Sequence, residues 1–143
     1  MGGSNNNNML PATWGPVAWS FIHSVTMGYP ENPTKEDMNH YKNFFESLGY
    51  ILPCEWCKEH YTKNLQNIPI NSYLDSRRNL VYWGYKLHNL VNEQTGVPKS
   101  KWPSFESIYK EYDSMRSEVD CNTNKTCNDE GSSKRCKVQY IKE

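Results

Sequence analysis

Residues 76–96 read SRRNLVYWGYKLHNLVNEQTG. Leu80, Trp83, Leu87, Leu90 and Val91 fall on one stripe at helical spacing, and Gly96 followed by Pro98 supplies stop signals. The stretch predicts a long helix from about Ser76 to Thr95. His88 and Asn92 sit four apart on this apolar helix, with Asn89 beside them and Tyr85 one turn earlier. A buried polar group left unpaired costs about 1 to 3 kcal/mol, so neighbouring side chains or a ligand must satisfy these groups.

Outward from this helix the other elements follow. Pro53 precedes CEWCKEHYTKNL, a helix-capable stretch that places Cys54 and Cys57 in its first turn, runs to about Leu65, and is closed by Pro69. Thr34 and Asp37 approximate a capping box before Met38, Tyr41, Phe44, Phe45 and Leu48, a helix ending near Gly49. Thr13 reads as an N-cap before a stripe of Trp14, Val17, Ala18, Phe21, Ile22 and Val25, with Pro16 in the first turn. A shorter helix runs from Ser104 through Phe105, Ile108, Tyr109 and Tyr112. No alternating strand pattern with turn chemistry appears, so the fold class is all-α, a small bundle of about five helices: a four-helix core plus a short fifth. Residues 1–11 form an Asn-rich leader expected to stay outside the fold, 12–113 the domain, and 114–143 a polar tail that carries Cys121, Cys127 and Cys136.

Composition removes several function classes. The 143 residues carry 16 basic and 16 acidic side chains, so there is no excess of cations to release counterions from a nucleic acid. No run approaches the roughly 18 apolar residues of a membrane span, and MGGSNNNNML has neither the cationic nor the apolar region of a signal peptide. Asn6 stands where a myristoylation signal wants Ser or Thr. The reading is a soluble chain with no nucleic-acid or membrane partner.

The pair Cys54 and Cys57 is a poor staple, since a bridge across so short a loop contributes only about 2 kcal/mol by chain entropy. A thiol at a helix N-terminus sees the positive end of the dipole, and the thiolate it favours speeds thiol–disulfide exchange. One alternative is a zinc-stabilised helical interaction module in which Cys54, Cys57, His60 and a tail cysteine supply four ligands, although no second C-x-x-C supports it. A thioredoxin-like reading lacks the strand that should precede the pair. Trp19 and His23 share a face of the first helix, as His88 and Asn92 do on the long one. Together with Asn89 near a redox-capable pair, they could line a slot for a flat, hydrogen-bonding heterocycle such as a flavin.

These strings resemble the Erv/ALR family of FAD-dependent sulfhydryl oxidases: WGPVAWSFIH at 14–23, PCEWC at 53–57 and HNLVN at 88–92, in family order. The resemblance covers about residues 12–113. It implies a helical bundle holding FAD noncovalently, usually as a homodimer, with no metal, that oxidises thiols by 2 R–SH + O2 → RS–SR + H2O2. Cys54 would exchange with the incoming thiol and Cys57 would face the flavin. Cofactor-binding positions carried over are Trp14, Gly15, Trp19, His23, Tyr29 and His60, then His88, Asn89, Val91 and Asn92 on the adenosine side. Lys99 or Lys101 is the candidate phosphate contact, and Trp102 and Tyr109 match aromatic positions near the cofactor.

Family members often carry a core disulfide from three residues before H-N to just after the lysine segment. Here those places hold Tyr85 and approximately Ser104. Packing and FAD itself must then join the last two helices. Larger members pass electrons through a second cysteine pair on a flexible segment; Cys121 with Cys127 is the candidate shuttle here, with the pairing of Cys127 and Cys136 left open. The partners implied are thiol-bearing protein substrates and O2. The leader and the short core look like the members encoded by large DNA viruses, which implies the host cytoplasm or the virion.

Overall fold

A computed structural model of the chain describes residues 6–116; Cys121, Cys127 and Cys136 lie outside them. Five α-helices carry the fold: α1 Pro11–Met27, α2 Lys35–Ile51, α3 Glu55–Asn67, α4 Arg77–Gln94 and α5 Phe105–Ser114. Single 3₁₀ turns at Ile70–Tyr73 and Lys99–Lys101 lie in the connections, and no strand occurs among the described residues. The all-α expectation therefore holds. In the bundle α1 packs on α4, α2 on α3, and α5 touches both α1 and α4.

Local chemistry sets most helix starts. Asp37 N–H donates to Thr34 Oγ1 at 3.1 Å and Thr34 N–H donates to Asp37 Oδ2 at 2.8 Å, a complete capping box for α2. Those backbone and side-chain bonds from Thr34 hold the Asp37 carboxyl below its usual range. Ser76 and Ser104 cap α4 and α5 through the N–H groups of Asn79 and Ser107. The start of α1 differs from expectation: Thr13 is inside the helix, its N–H donating to Leu10 at 2.9 Å, and Pro11 opens it. Proline at the first helical position loses no bond, because that N–H has no helical acceptor. Pro16 therefore lies in the helix interior and removes one i→i−4 bond from it. The leader is not wholly excluded either, since Met9 N–H donates to the Pro53 carbonyl at 2.7 Å.

The core forms where α2, α3 and α4 converge with the loop after α1. Trp83, Tyr29, Phe45, Leu80 and Leu87 are fully buried, with the Phe45 and Trp83 rings 4.9 Å apart edge to face. Three buried rings of the core spend their polar ends on carbonyls: Tyr29 hydroxyl on Leu74 at 2.6 Å, Trp83 Nε1 on Ile68 at 2.8 Å, Tyr61 hydroxyl on Phe45. Burial raises the Tyr29 hydroxyl and pushes Tyr61 above the titration range of ordinary phenols. The stripe expected to bury α1 is rotated. Ile22, His23, Thr26 and Met27 face inward, while Val17 and Phe21 are 71% and 59% exposed.

That rotation sets α1 against Gly84 of α4. A Cβ at Gly84 would stand 3.3 Å from Thr26 Cγ2, and Thr26 is fully buried with its hydroxyl donating to the His23 carbonyl at 2.8 Å. Thr26 cannot retreat, so the crowding of an added methyl, about 1 to 3 kcal/mol, exceeds the gain of about 1 kcal/mol from alanine's helix propensity. Gly84→Ala should lower unfolding free energy in urea by about 1 kcal/mol.

Candidate active site

The redox-capable pair is built by the start of α3. Cys54 is its N-cap residue, extended at φ −165° and ψ 120°, and its sulfur accepts a hydrogen bond from Cys57 N–H at 3.2 Å. The turn brings the two Cα atoms to 5.1 Å and the sulfurs are joined as a disulfide. Neither sulfur is then a thiolate that could ligate zinc. The two are not equivalent: Cys54 is 9% exposed and off the neighbouring cavity, whereas Cys57 is half-buried and lines it.

That cavity holds about 660 Å³, within the roughly 300–1,000 Å³ of small-molecule and cofactor sites. Its wall opposite Cys57 comes from α1 and α4. The Trp19 and His88 rings stack at 4.0 Å with 6° between their planes, and His23 Nε2 and His88 Nδ1 are 2.9 Å apart. His23 Nδ1 is buried with no hydrogen-bond partner among the described residues. The tautomer that leaves no buried N–H unpaired has His23 Nε2–H donating to His88 Nδ1, and it keeps the proton of His88 on Nε2.

Burial holds His23 at a pKa of about 4, with the neighbouring His88 adding to the depression, and burial holds His88 at about 4 as well. Both rings are therefore neutral at pH 7. The unfolded chain takes up these protons near 6.5 and the folded chain only near 4, so protonation favours unfolding as pH falls through that window. The thermal midpoint should be flat above pH 7 and fall between about 6.5 and 4.5; His88→Gln should make that slope shallower, as read by melting curves across the range.

Of the residues singled out from the sequence, Trp14, Gly15, Trp19, His23, His60, His88, Val91 and Asn92 meet around this cavity with Cys57. Six others lie away from this cavity. Tyr29 is fully buried in the core on Leu74, because the loop after α1 turns it away from the cavity. Lys99 and Lys101 are exposed on the turn before Trp102 and are not among the lining residues. Trp102 spends its Nε1–H on the Val97 carbonyl at 3.1 Å, which closes its own loop. Tyr109 lies under Arg78, whose guanidinium is 5.1 Å from its ring, and Asn89 accepts from Asn92 Nδ2 at 3.3 Å; neither lines the cavity.

The sequence reading missed Trp56 and Tyr112 as wall residues. Trp56 stacks on His60 at 3.6 Å, and His60 Nδ1 lies 2.8 Å from the Trp56 carbonyl. Tyr112 reaches the cavity from α5, its ring 5.2 Å from that of His23. A signal existed for the second: the apolar spacing of α5 serves this wall, because α5 has no buried residue of its own.

The arrangement sets one sulfur of a disulfide against a cavity with flat ring walls and neutral imidazoles. Comparison with known proteins gives the same grouping. Residues 16–112 match the Erv1/Alr family model. The chain is 43% identical over 104 residues to a probable FAD-linked sulfhydryl oxidase of Acanthamoeba polyphaga mimivirus, covering 71% of this chain and 73% of that protein. It is 32% identical over 98 residues to the mitochondrial FAD-linked sulfhydryl oxidase of Saccharomyces cerevisiae, covering 68% of this chain and half of that one's length. Its fold is similar to the crystal structure of the FAD-binding domain of Erv1 from Saccharomyces cerevisiae, with TM-score 0.68, 26% identity, and 75% and 97% of the two chains covered. With a family model spanning most of its length and a relative at this level of identity, the chain belongs to the Erv1/Alr family.

Proposed function

We propose that this chain is an FAD-dependent thiol oxidase that forms disulfides in protein substrates by 2 R–SH + O2 → RS–SR + H2O2. The observation that carries the reading is the placement of Cys57, in disulfide linkage with Cys54, on the cavity walled by Trp19, His23 and His88. The lining fits the flat ring system of the cofactor, an apolar slot with rings to stack on and polar edges at His88, Asn92 and Thr95; Glu111 also lines it and no lysine or arginine does, so these residues supply no cation to the diphosphate. Bound there, FAD would accept two electrons from the reduced cysteine pair and deliver them to O2. Trp19, His23, His60, His88, Val91 and Asn92 are the residues assigned to hold it.

The chain's own part in the reaction follows from the asymmetry of the sulfurs. A substrate thiolate attacks Cys54, forming a mixed disulfide and releasing Cys57 as a thiolate in the first turn of α3, where the dipole stabilises it. A second substrate thiol then displaces Cys54, and the departing sulfur keeps the hydrogen bond from Cys57 N–H. Both histidines stay neutral at physiological pH, so the wall presents dipoles rather than cations. Trp14, Gly15 and Trp56 also line the cavity beside Cys57.

Two finer readings belong with this one. A homodimer is supported by the apolar face of α1 and α2: Val17 and Phe21 are exposed one turn apart, and Phe21 meets Phe44 edge to face at 6.3 Å. Cys121 with Cys127 remains the candidate relay between substrate and Cys54. The mimivirus relative supports a viral source, and with it the host cytoplasm or virion as the place of action. No helix among the described residues is long and apolar enough to cross a membrane.

Cys57→Ser should retain yellow, FAD-bound protein and lose oxygen consumption with dithiothreitol as donor. Oxygen uptake at the parent rate would remove Cys57 from its role. Phe21→Glu should convert the dimer to monomer in light scattering coupled to size exclusion, while a parent that is already monomeric would refute the dimer.

A further inference from the structure

Cys54, the sulfur assigned to meet substrate, is only 9% exposed. The leader crosses the chain on both sides of it. Met9 N–H donates to the carbonyl of Pro53 at 2.7 Å, and Glu55 N–H donates to Asn8 Oδ1 at 2.8 Å. Trp14 Nε1–H fixes this segment from the other end by donating to the Met9 carbonyl at 2.9 Å.

We propose that Asn8 and Met9 form a strap over the exchange sulfur, and that an extended, cysteine-bearing segment of a protein substrate displaces it by taking over its bonds to Pro53 and Glu55. The Pro53 carbonyl lies outside α3, and the Glu55 N–H is one of the first four amides of the helix, which have no intrahelical acceptor. Backbone groups of this kind need a partner from outside the helix. A carbonyl acceptor for Glu55 and an N–H donor for Pro53 are what any extended peptide carries, and main-chain pairing of this sort binds extended segments without regard to most of their side chains. The strap is suited to leaving: Met9 and Leu10 are 60% and 68% exposed, so it buries little apolar surface of its own.

The proposal rests on the thiol-oxidase reading for the identity of the donor, but its step needs neither FAD nor O2. One substrate thiolate attacks Cys54, forming the substrate–Cys54 bond and breaking Cys54–Cys57. The second substrate thiol then closes the substrate disulfide and releases Cys54. Two electrons and two protons end on the cysteine pair.

The test is anaerobic reduction of Cys54–Cys57 in the full chain, followed by acid quench, alkylation and mass analysis of the peptide that holds both cysteines. The donors are an unstructured decapeptide with two cysteines, and dithiothreitol, which offers no backbone. Asn8→Ala and Met9→Pro each remove one strap bond. Each should speed reduction by the peptide about threefold to tenfold, the range set by losing one exposed hydrogen bond, and change reduction by dithiothreitol less than about twofold. In Asn8→Ala, which removes the acceptor of the Glu55 amide, hydrogen exchange at that amide should quicken, and slow again when a serine-for-cysteine version of the decapeptide is added. Unchanged peptide rates, or equal acceleration with both donors, overturns the strap; an amide that the added peptide does not protect overturns the docking edge. Loss of oxygen consumption with the disulfide still exchanging would instead count against the oxidase reading alone.

Discussion

The approach of α1 to α4 at Gly84 decides where every other group in the site can be. Because Gly84 has no side chain, Thr26 and His23 reach the surface of α4, and His23 Nε2 comes within 2.9 Å of His88 Nδ1. Trp19, one turn before His23, then falls on the face of His88 at 4.0 Å. Three rings are thereby fixed by a single helix crossing, without loops. The imidazoles so placed are desolvated and neutral, a state that suits a wall for a flat aromatic ligand and gives up stability in acid. A wider crossing would let water reach the pair and return both rings to ordinary titration.

The second determinant is the direction of α3. Placing Cys54 at the N-cap and Cys57 three residues on makes the two ends of the disulfide unequal, so Cys57 borders the cavity while Cys54 lies off it between Pro53 and Glu55, which the leader bonds. In the proposed reaction this asymmetry gives the pair a direction, with thiols meeting Cys54 and electrons leaving from Cys57 on the cavity side. The asymmetry needs no tuning by charged neighbours, because the helix start alone supplies the dipole and the N–H group that receive a departing thiolate.

Much of this is legible in the amino-acid order, for reasons that differ by element. Thr34 and Asp37 announce α2 because both halves of a capping box are local, and α4 ends within a residue of the expected place because Gly96, at φ 80°, adopts the conformation that a helix stop needs. The inward face of α1 is not legible, since Val17 and Phe21 satisfy the apolar spacing as well as Ile22 and Met27 do. Only the position of Gly84 on another helix selects between the two faces. The site residues divide the same way. Those on helices that form the crossing, Trp19, His23, His88 and Asn92, arrive together, whereas Tyr29 and Trp102 sit on connections, the first held by a long-range bond to Leu74 and the second by a bond to Val97 within its own loop. Trp56 escaped because an aromatic between two cysteines carries no local mark of what it faces, whereas Tyr112 was marked only by the apolar spacing of α5.

The join between α4 and α5 shows how such a domain can dispense with a structural bridge. Where the family resemblance leads one to expect a disulfide, Tyr85 hydroxyl donates to the Pro103 carbonyl at 2.9 Å, and Phe105 packs against Tyr82 and Tyr85 at 5.1 and 5.6 Å. Arg78 pairs with Glu106 and lies over the rings of Phe105 and Tyr109. These contacts are mostly at the surface, and exposed ion pairs contribute only about 0 to 1 kcal/mol each, so the clasp is weaker than the bridge of about 3 kcal/mol it stands in for. The deficit falls on α5, which has no buried residue and supplies Ile108 and Tyr112 to the cavity wall. A ligand filling the cavity would bury that wall, so binding and the docking of α5 are one equilibrium.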